Sequence, residues 1–316
     1  MGRHASLEPL LSAVSAHFDW SDMSNRDLIV EFIVPFCLKK CSFCTRKVFE
    51  GWDSTRSHQY ILAVQKELLA NAEEFNDHVV RAIHWGGGIA SMTNAQDISD
   101  TMTLIKKHYH VAEDAPMTMR AIISNISAAT MPFYKRAKVT RFDFEMMSLD
   151  LGEFTTVNNH DNFDEFNIVC DYFLRPRTND LLGIVLLVGH KGVSAASFRK
   201  SIVEFKRLPA SHLILQLCEG EDAVNDEEME QQLALARELL SEEGFIEYVS
   251  LNFAKQGKED LFTLLRSNEY DALSFGLGAC THIDGTYSKN TDDLATYLTY
   301  SHDYIQITSD AWHAGE

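Results

Sequence analysis

Three cysteines lie within eight residues of one another in the stretch Pro35-Phe36-Cys37-Leu38-Lys39-Lys40-Cys41-Ser42-Phe43-Cys44. Thiolates at this spacing can bind a metal from a single loop. A structural zinc site would need a fourth ligand, usually from a second cysteine pair. Cys170, Cys218 and Cys280 are far apart in sequence and form no such pair. Three thiolates, Cys37, Cys41 and Cys44, suit three irons of a [4Fe–4S] cluster and leave the fourth iron open for chemistry. Six cysteines in a reducing compartment are not a disulfide framework. A second pattern is Gly86-Gly87-Gly88, which follows an apolar run. Adjacent glycines cost backbone entropy and pack nothing, so they point to a tight turn or to a ligand lying against the main chain. A dinucleotide-binding turn at Gly276-Leu277-Gly278 is excluded, because Thr281 stands where the third glycine would be.

These groups need a scaffold, and the periodicity supplies one. Apolar runs at Leu28–Val34, Ala82–Trp85, Met117–Ile123, Arg141–Met146, Leu182–Val188 and His212–Leu217 read as strands. Helical patterns over Ser57–Phe75, Asp97–Tyr109, Ser127–Lys138, Phe163–Phe173, Ser194–Lys206 and Glu227–Glu243 alternate with them. Six β/α units in succession predict a parallel sheet. After Gly220 the pattern loosens, with strands expected at Phe245–Phe253 and Ala272–Phe275 and a turn region over Gly276–Gly285. Residues 1–26 are therefore read as an N-terminal extension, 27–220 as the core, and 221–316 as a C-terminal extension completing its side.

The 316 residues carry a formal charge of −18, which disfavours nucleic acid and anionic membrane surfaces as partners and leaves small molecules. The longest apolar runs are too short to span a bilayer, and the first residues lack a secretory pattern, so a cytoplasmic location is expected. Met1-Gly2-Arg3-His4-Ala5-Ser6 fits a myristoylation pattern, but one acyl chain on an acidic protein anchors poorly.

The cysteine loop directly after the first strand resembles that of the radical S-adenosylmethionine (SAM) enzymes. Phe32 through Cys44, Trp85 through Ser91, Arg141 through Asp150, Ala234 through Lys255 and Phe275 through Ala279 resemble, in order, segments of the oxygen-independent coproporphyrinogen III oxidases and their haem-chaperone relatives. The resemblance implies an α/β fold, a partial (β/α)6 barrel with a C-terminal extension of further strands and helices. It implies a [4Fe–4S] cluster on Cys37, Cys41 and Cys44, and SAM lying against Gly86, Gly87 and Gly88 with Phe43 flanking the adenine and Ser148 nearby. Reductive SAM cleavage would then form a 5′-deoxyadenosyl radical that acts on a small organic substrate, tetrapyrrole or natural product. Electrons would come from a donor such as flavodoxin or ferredoxin. Relatives also include methyltransferases and cyclopropanating enzymes that use a second SAM, and haem-binding chaperones with little turnover.

The pocket residues depart from the oxidases. Arg120, Met147 and Val185 stand where relatives carry a carboxylate, a glutamine and an aspartate, and Glu31 and Ile33 replace a tyrosine and a histidine ahead of the cysteine loop. Strand alternation sets Asp143, Glu145 and Met147 on one face and Phe142, Phe144 and Met146 on the other. If the aromatic face packs on helices, the two carboxylates face inward. Thr118, Arg120 and Ile122 share a face of the preceding strand, so Arg120 could neighbour Glu145. Arg120, Asp143 and Glu145 are thus candidates for catalytic, SAM or substrate contacts. His84, His160, His190, His212 and His282 are scattered, without the spacing of a ligand set. His160 and His190 follow the fourth and fifth strands, where substrate contacts are expected.

Overall fold

A computed structural model describes residues 23–24, 26–50, 53–152, 163–173, 181–300 and 307–308. In chain order the main elements are β1 (Asp27–Val34), α1 (Ser54–Asn71), β2 (Val79–Gly87), α2 (Ala95–His108), β3 (His110–Val111), β4 (Met117–Ala121), α3 (Met131–Ala137) and β5 (Arg141–Met147). They continue as α4 (Phe163–Phe173), β6 (Leu181–Val188), α5 (Ala195–Phe205), β7 (His212–Leu217), α6 (Asp226–Ser241), β8 (Phe245–Val249) and β9 (Asn252–Lys255). The last are α7 (Leu261–Ser267), β10 (Asp271–Phe275), β11 (Cys280–Ile283), β12 (Thr286–Lys289), α8 (Leu294–Tyr300) and β13 (Ile307–Thr308). The fold is α/β with parallel strands joined by helices, as the alternating periodicities require. No described helix is long and apolar enough to cross a membrane.

The chain divides into two compact units: Arg26–Lys40, Arg46–Phe142 and Leu265–Glu316 form one, and Met1–Asn25, Cys41–Thr45 and Asp143–Leu264 the other. The C-terminal extension is shared, residues 221–264 lying in the second and 265–316 in the first. In the first unit the strand order is β13-β12-β11-β10-β1-β2-β4, with β3 beside β2. β1 runs parallel to both β10 (Leu28↔Asp271 to Phe32↔Phe275) and β2 (Asp27↔Val79 to Val34↔Gly87). Phe32 is stacked on Trp85, with centroids 4.3 Å apart, and on Phe275 at 5.5 Å, so one face of this sheet is an aromatic core. In the second unit the order is β5-β6-β7-β9-β8, with β6 and β7 parallel and β9 antiparallel to both its neighbours.

Side chains accept hydrogen bonds at three helix starts. Asp53 caps α1 through Arg56 N (2.8 Å), Ser194 caps α5 through Ser197 N (3.1 Å) and Asn225 caps α6 through Glu228 N (3.0 Å).

Two expectations are corrected. The stretch Phe245–Phe253 is a hairpin of β8 and β9, broken where Leu251 takes a φ of +62°. The region Gly276–Gly285 contains strand β11, which pairs with β12 across Asp284-Gly285. Both turn residues have positive φ, +50° and +77°, the backbone that a two-residue hairpin turn demands and that an Asp-Gly pair signals.

Candidate functional site

The cysteine loop grows out of the end of β1 and is closed at its base. Phe36 forms a parallel bridge with Phe49, Phe49 N donates to Pro35 O (2.8 Å) and Cys37 N donates to Phe49 O (3.2 Å). Arg46 Nη1 donates to Gly87 O (2.7 Å), Lys47 Nζ to Asp292 O (2.6 Å) and Lys40 N to Glu50 Oε1 (2.6 Å). Cys44 N donates to Cys41 O (3.1 Å), a tight turn between the second and third thiols. Cys37 is buried, Cys41 and Cys44 are half-buried, and none of the six cysteines is in a disulfide. Cys37 belongs to the first unit, Cys41 and Cys44 to the second. Among the described residues no three His, Cys, Asp or Glu side chains are gathered as a metal site. The donor set fits an iron–sulfur cluster by its chemistry: three thiols from one short loop with a pinned base, two of them reaching the surface.

The remaining thiols are of a different kind. Burial pushes Cys170 up to about 12 and Cys218 up to about 11, and nearby carboxylates add to both shifts. Burial also raises Cys280 above the ordinary thiol range. In all three, burial disfavours the thiolate, the form that binds metal.

The glycine run is welded to this loop. Gly88 N donates to Val34 O (2.6 Å) and Ile89 N to Phe36 O (3.0 Å). A Cβ on Gly88 would stand 2.6 Å from Phe36 O, 2.9 Å from Val34 O and 3.2 Å from Cys37 Sγ. Gly87 has a φ of +88°, and a Cβ on Gly86 would meet His84 Nε2 at 2.6 Å. The main chain leading to the first cysteine therefore accounts for Gly87 and Gly88, and the His84 ring crowds Gly86, reasons that spacing in sequence could not reveal. Replacing Gly88 by Ala is expected to cost about 2–3 kcal/mol by overpacking against backbone that cannot yield. The same change at Gly152, where the nearest atom to the added Cβ is 3.6 Å away, serves as the control in thermal unfolding.

A polar row crosses the sheet of the first unit. Ser274, Glu31, His84 and Thr118 are register neighbours on β10, β1, β2 and β4. Ser274 Oγ donates to Glu31 Oε2 (3.4 Å), Arg266 Nη2 lies 4.0 Å from the same oxygen, and His84 Nδ1 is 2.9 Å from Thr118 Oγ1. Arg120 follows Thr118 by two residues and so shares its face, half-buried. Arg266 and Ser274 escape sequence reasoning, since strand register brings Ser274 and the packing of α7 brings Arg266 beside Glu31.

In the second unit, Asp143 and Glu145 are both buried, as is every residue of β5. Alternation therefore does not single out one open face. Asp143 Oδ1 lies 3.6 Å from His212 Nδ1, and His212 Nε2 is 2.5 Å from Tyr248 Oη, giving a buried row from β5 through β7 to β8. At the end of β5, Met147 takes a φ of +60° and Ser148 N donates back to Met146 O (2.7 Å), a three-residue turn. Ser148 is buried, with its Oγ 3.2 Å from Ser201 Oγ and accepting from Asp150 N (3.2 Å). Asp150 is paired with Lys200 at 2.5 Å, and that hydrogen bond holds its carboxyl below the usual range.

Phe43, between the second and third cysteines, is buried and packs at 81° to the ring of His190, with centroids 5.8 Å apart. His190 Nδ1 accepts from Gly192 N (2.9 Å), which puts the neutral ring's proton on Nε2. The loop after β6 thus meets the tip of the cysteine loop within one unit. His282 stacks on Tyr287 at 4.2 Å. His160 lies outside the described residues.

Comparison with known proteins agrees with the resemblance. No family model matches the chain. Among solved structures, coproporphyrinogen III oxidase (HemN) from Escherichia coli, described as a radical SAM enzyme, superposes with a TM-score of 0.78 at 18% identity over 99% of this chain and 76% of that one. The fold matches that of this enzyme. In sequence, the chain is similar to the oxygen-independent coproporphyrinogen III oxidase of Salmonella typhimurium, 33% identical over 95 residues, which are 30% of this chain and 21% of that protein. It is 20% identical to the Escherichia coli oxidase over 299 residues, 86% of this chain and 65% of the oxidase. It is 22% identical to the heme chaperone HemW of Bacillus subtilis over 284 residues, 84% and 73% of the two chains. The chain thus spans less than two thirds of the length of either oxidase it matches.

Proposed function

We propose that this chain is a radical SAM enzyme. The observation that carries the reading is the pinned cysteine loop: three thiols in eight residues directly after β1, with the first of them packed against Gly88. Cys37, Cys41 and Cys44 would hold a [4Fe–4S] cluster. That group, when bound, supplies the electron that reductively cleaves SAM to a 5′-deoxyadenosyl radical able to abstract hydrogen from a small organic substrate. The protein's own part is to hold the loop, orient the ligands and keep water out. Gly86–Gly88 would lie beside SAM and Phe43 would flank its adenine, while Ser148 with Ser201 fixes the turn at the end of β5. Arg120, Asp143 and Glu145 are the candidate contacts to SAM or substrate, with Asp143 braced by His212. A flavodoxin or ferredoxin is the expected electron donor.

Anaerobic reconstitution tests the reading. About four irons per chain, a reduced-state EPR signal that shifts when SAM is added, and slow release of 5′-deoxyadenosine and methionine under dithionite are expected. One zinc per chain without iron uptake would sink it. SAM bound but never cleaved, together with a Soret shift on haem addition, would favour a chaperone role like the one named for HemW.

Arg120 is the sharpest departure from the oxidases, a guanidinium in place of a carboxylate. Its planar fork suits a carboxylate of SAM or of an acidic substrate. Arg120→Ala is expected to retain iron and lose about tenfold or more in SAM affinity or product formation, the scale of one charge-assisted hydrogen bond. If stability, SAM affinity and turnover all stayed at the wild-type level, Arg120 would be removed from the site.

A further inference from the structure

The second unit carries a cavity of about 440 Å³ between the loop after β6 and helix α6. That volume falls within the range of small-molecule sites. Its apolar wall comes from Val193, Ala195, Val224 and Leu235.

The buried polar residue in its wall is Gln232, 5% exposed. Its Oε1 accepts from Gly189 N at 2.9 Å. A backbone N–H can only donate, so this bond fixes which end of the amide faces the main chain. Nε2 is then the end left for the cavity that Gln232 lines, and among the described residues no hydrogen bond to it is formed. Gly189 makes the arrangement possible: its φ is +79°, and a Cβ there would collide with Met229 of the same helix, 2.1 Å from Cε.

A second donor set lines the same cavity. Ala195 begins α5, an eleven-residue helix, and lines the cavity with the N-cap Ser194. The leading N–H groups of the helix carry the positive end of its dipole. Two charged groups border the cavity. Lys191 Nζ donates to Glu221 O at 2.6 Å, and Glu228 Oε1 accepts from Asn225 Nδ2 at 2.9 Å.

We propose that this cavity is a binding site for a small carboxylate with a short apolar chain, the acid held by Gln232 Nε2 and the first turn of α5, the chain by Val193, Val224 and Leu235. The site lies within one unit and does not depend on the cluster reading, so its test needs neither iron nor SAM.

The full-length protein is titrated with hexanoate by calorimetry, with hexylammonium as the counter-probe of the same length and opposite charge. Saturable hexanoate binding tighter than that of hexylammonium is expected. Gln232→Glu keeps an acceptor for Gly189 N while replacing the donor by an anion. It should weaken hexanoate binding by about tenfold or more. No saturable binding, stronger binding of hexylammonium, or equal hexanoate affinity in Gln232→Glu each overturns the proposal. Should that variant fail to fold, Leu235→Trp fills the cavity from a half-buried position on α6. It is expected to abolish binding, and retained affinity there also overturns the assignment.

Discussion

Reconstituted Cys37→Ala, Cys41→Ala and Cys44→Ala should each fall from about four irons per chain to below about one, the consequence of losing one of three thiolate ligands. SAM cleavage under dithionite should drop to the background of the protein-free assay in all three. The expected loss is near total because an open-iron cluster has no spare protein ligand, and a missing thiolate leaves two irons without support. Cys170→Ala, Cys218→Ala and Cys280→Ala should keep iron, EPR shift and cleavage, since these residues lie outside the cysteine loop and burial disfavours their thiolates. Equal sensitivity across all six would show that the triplet was misread. Retention of activity in any of the first three would remove that residue from the ligand set.

The second large effect is expected at Glu67, on α1 in the first unit. Its side chain is fully buried and accepts from Gly276 N (3.0 Å), Asn290 Nδ2 (2.9 Å) and Tyr297 Oη (2.6 Å). Beside it, Tyr60 Oη donates to Ile33 O (2.5 Å) and accepts from Leu277 N (2.9 Å). One helix thus clamps the segment after β10 and the strand end that launches the cysteine loop. Glu67→Ala strands three buried donors and should destabilise the protein by on the order of 3–5 kcal/mol.

Burial pushes the carboxyl of Glu67 up to about 8, against the stabilising pull of Tyr297 and Gly276. An unfolded chain releases that proton near pH 4.5. Between these two values the folded state binds the extra proton, so this group makes stability fall as pH rises, by about 1.4 kcal/mol per pH unit. Below the window both states hold the proton, and above it neither does. Glu67→Gln keeps the shape and removes the titration. Denaturant unfolding at pH 5, 6.5 and 8 should show the wild type losing stability relative to Glu67→Gln across the series. Parallel profiles for the two proteins would place the proton elsewhere.

The amino-acid sequence by itself determined what is local. Cys37, Cys41 and Cys44 stand within one loop, so their spacing alone named the donor set. The alternation of apolar runs and helical patterns, each a property of ten or twenty consecutive residues, gave α/β with parallel strands and most element positions within a few residues. Asp284-Gly285 carried its hairpin signal locally too, although a strand inside a glycine-containing stretch masked it.

What only the tertiary structure decided are relations between residues far apart in the chain, where strand register and burial choose the neighbours. Spacing marked Gly88 as unusual, but the carbonyls of Val34 and Phe36 that forbid a Cβ there come from another strand. Alternation paired Asp143 with Glu145 on one face, yet burial on both sides of β5 left that face undefined, and His212 with Tyr248 supplied the partner row. Glu67 reads as one more helical glutamate among many, because nothing within a turn of it shows that Gly276, Asn290 and Tyr297, more than two hundred residues away, converge on its carboxylate. Periodicity records which side of an element is apolar; the polar groups inside that side are chosen by which other elements arrive there.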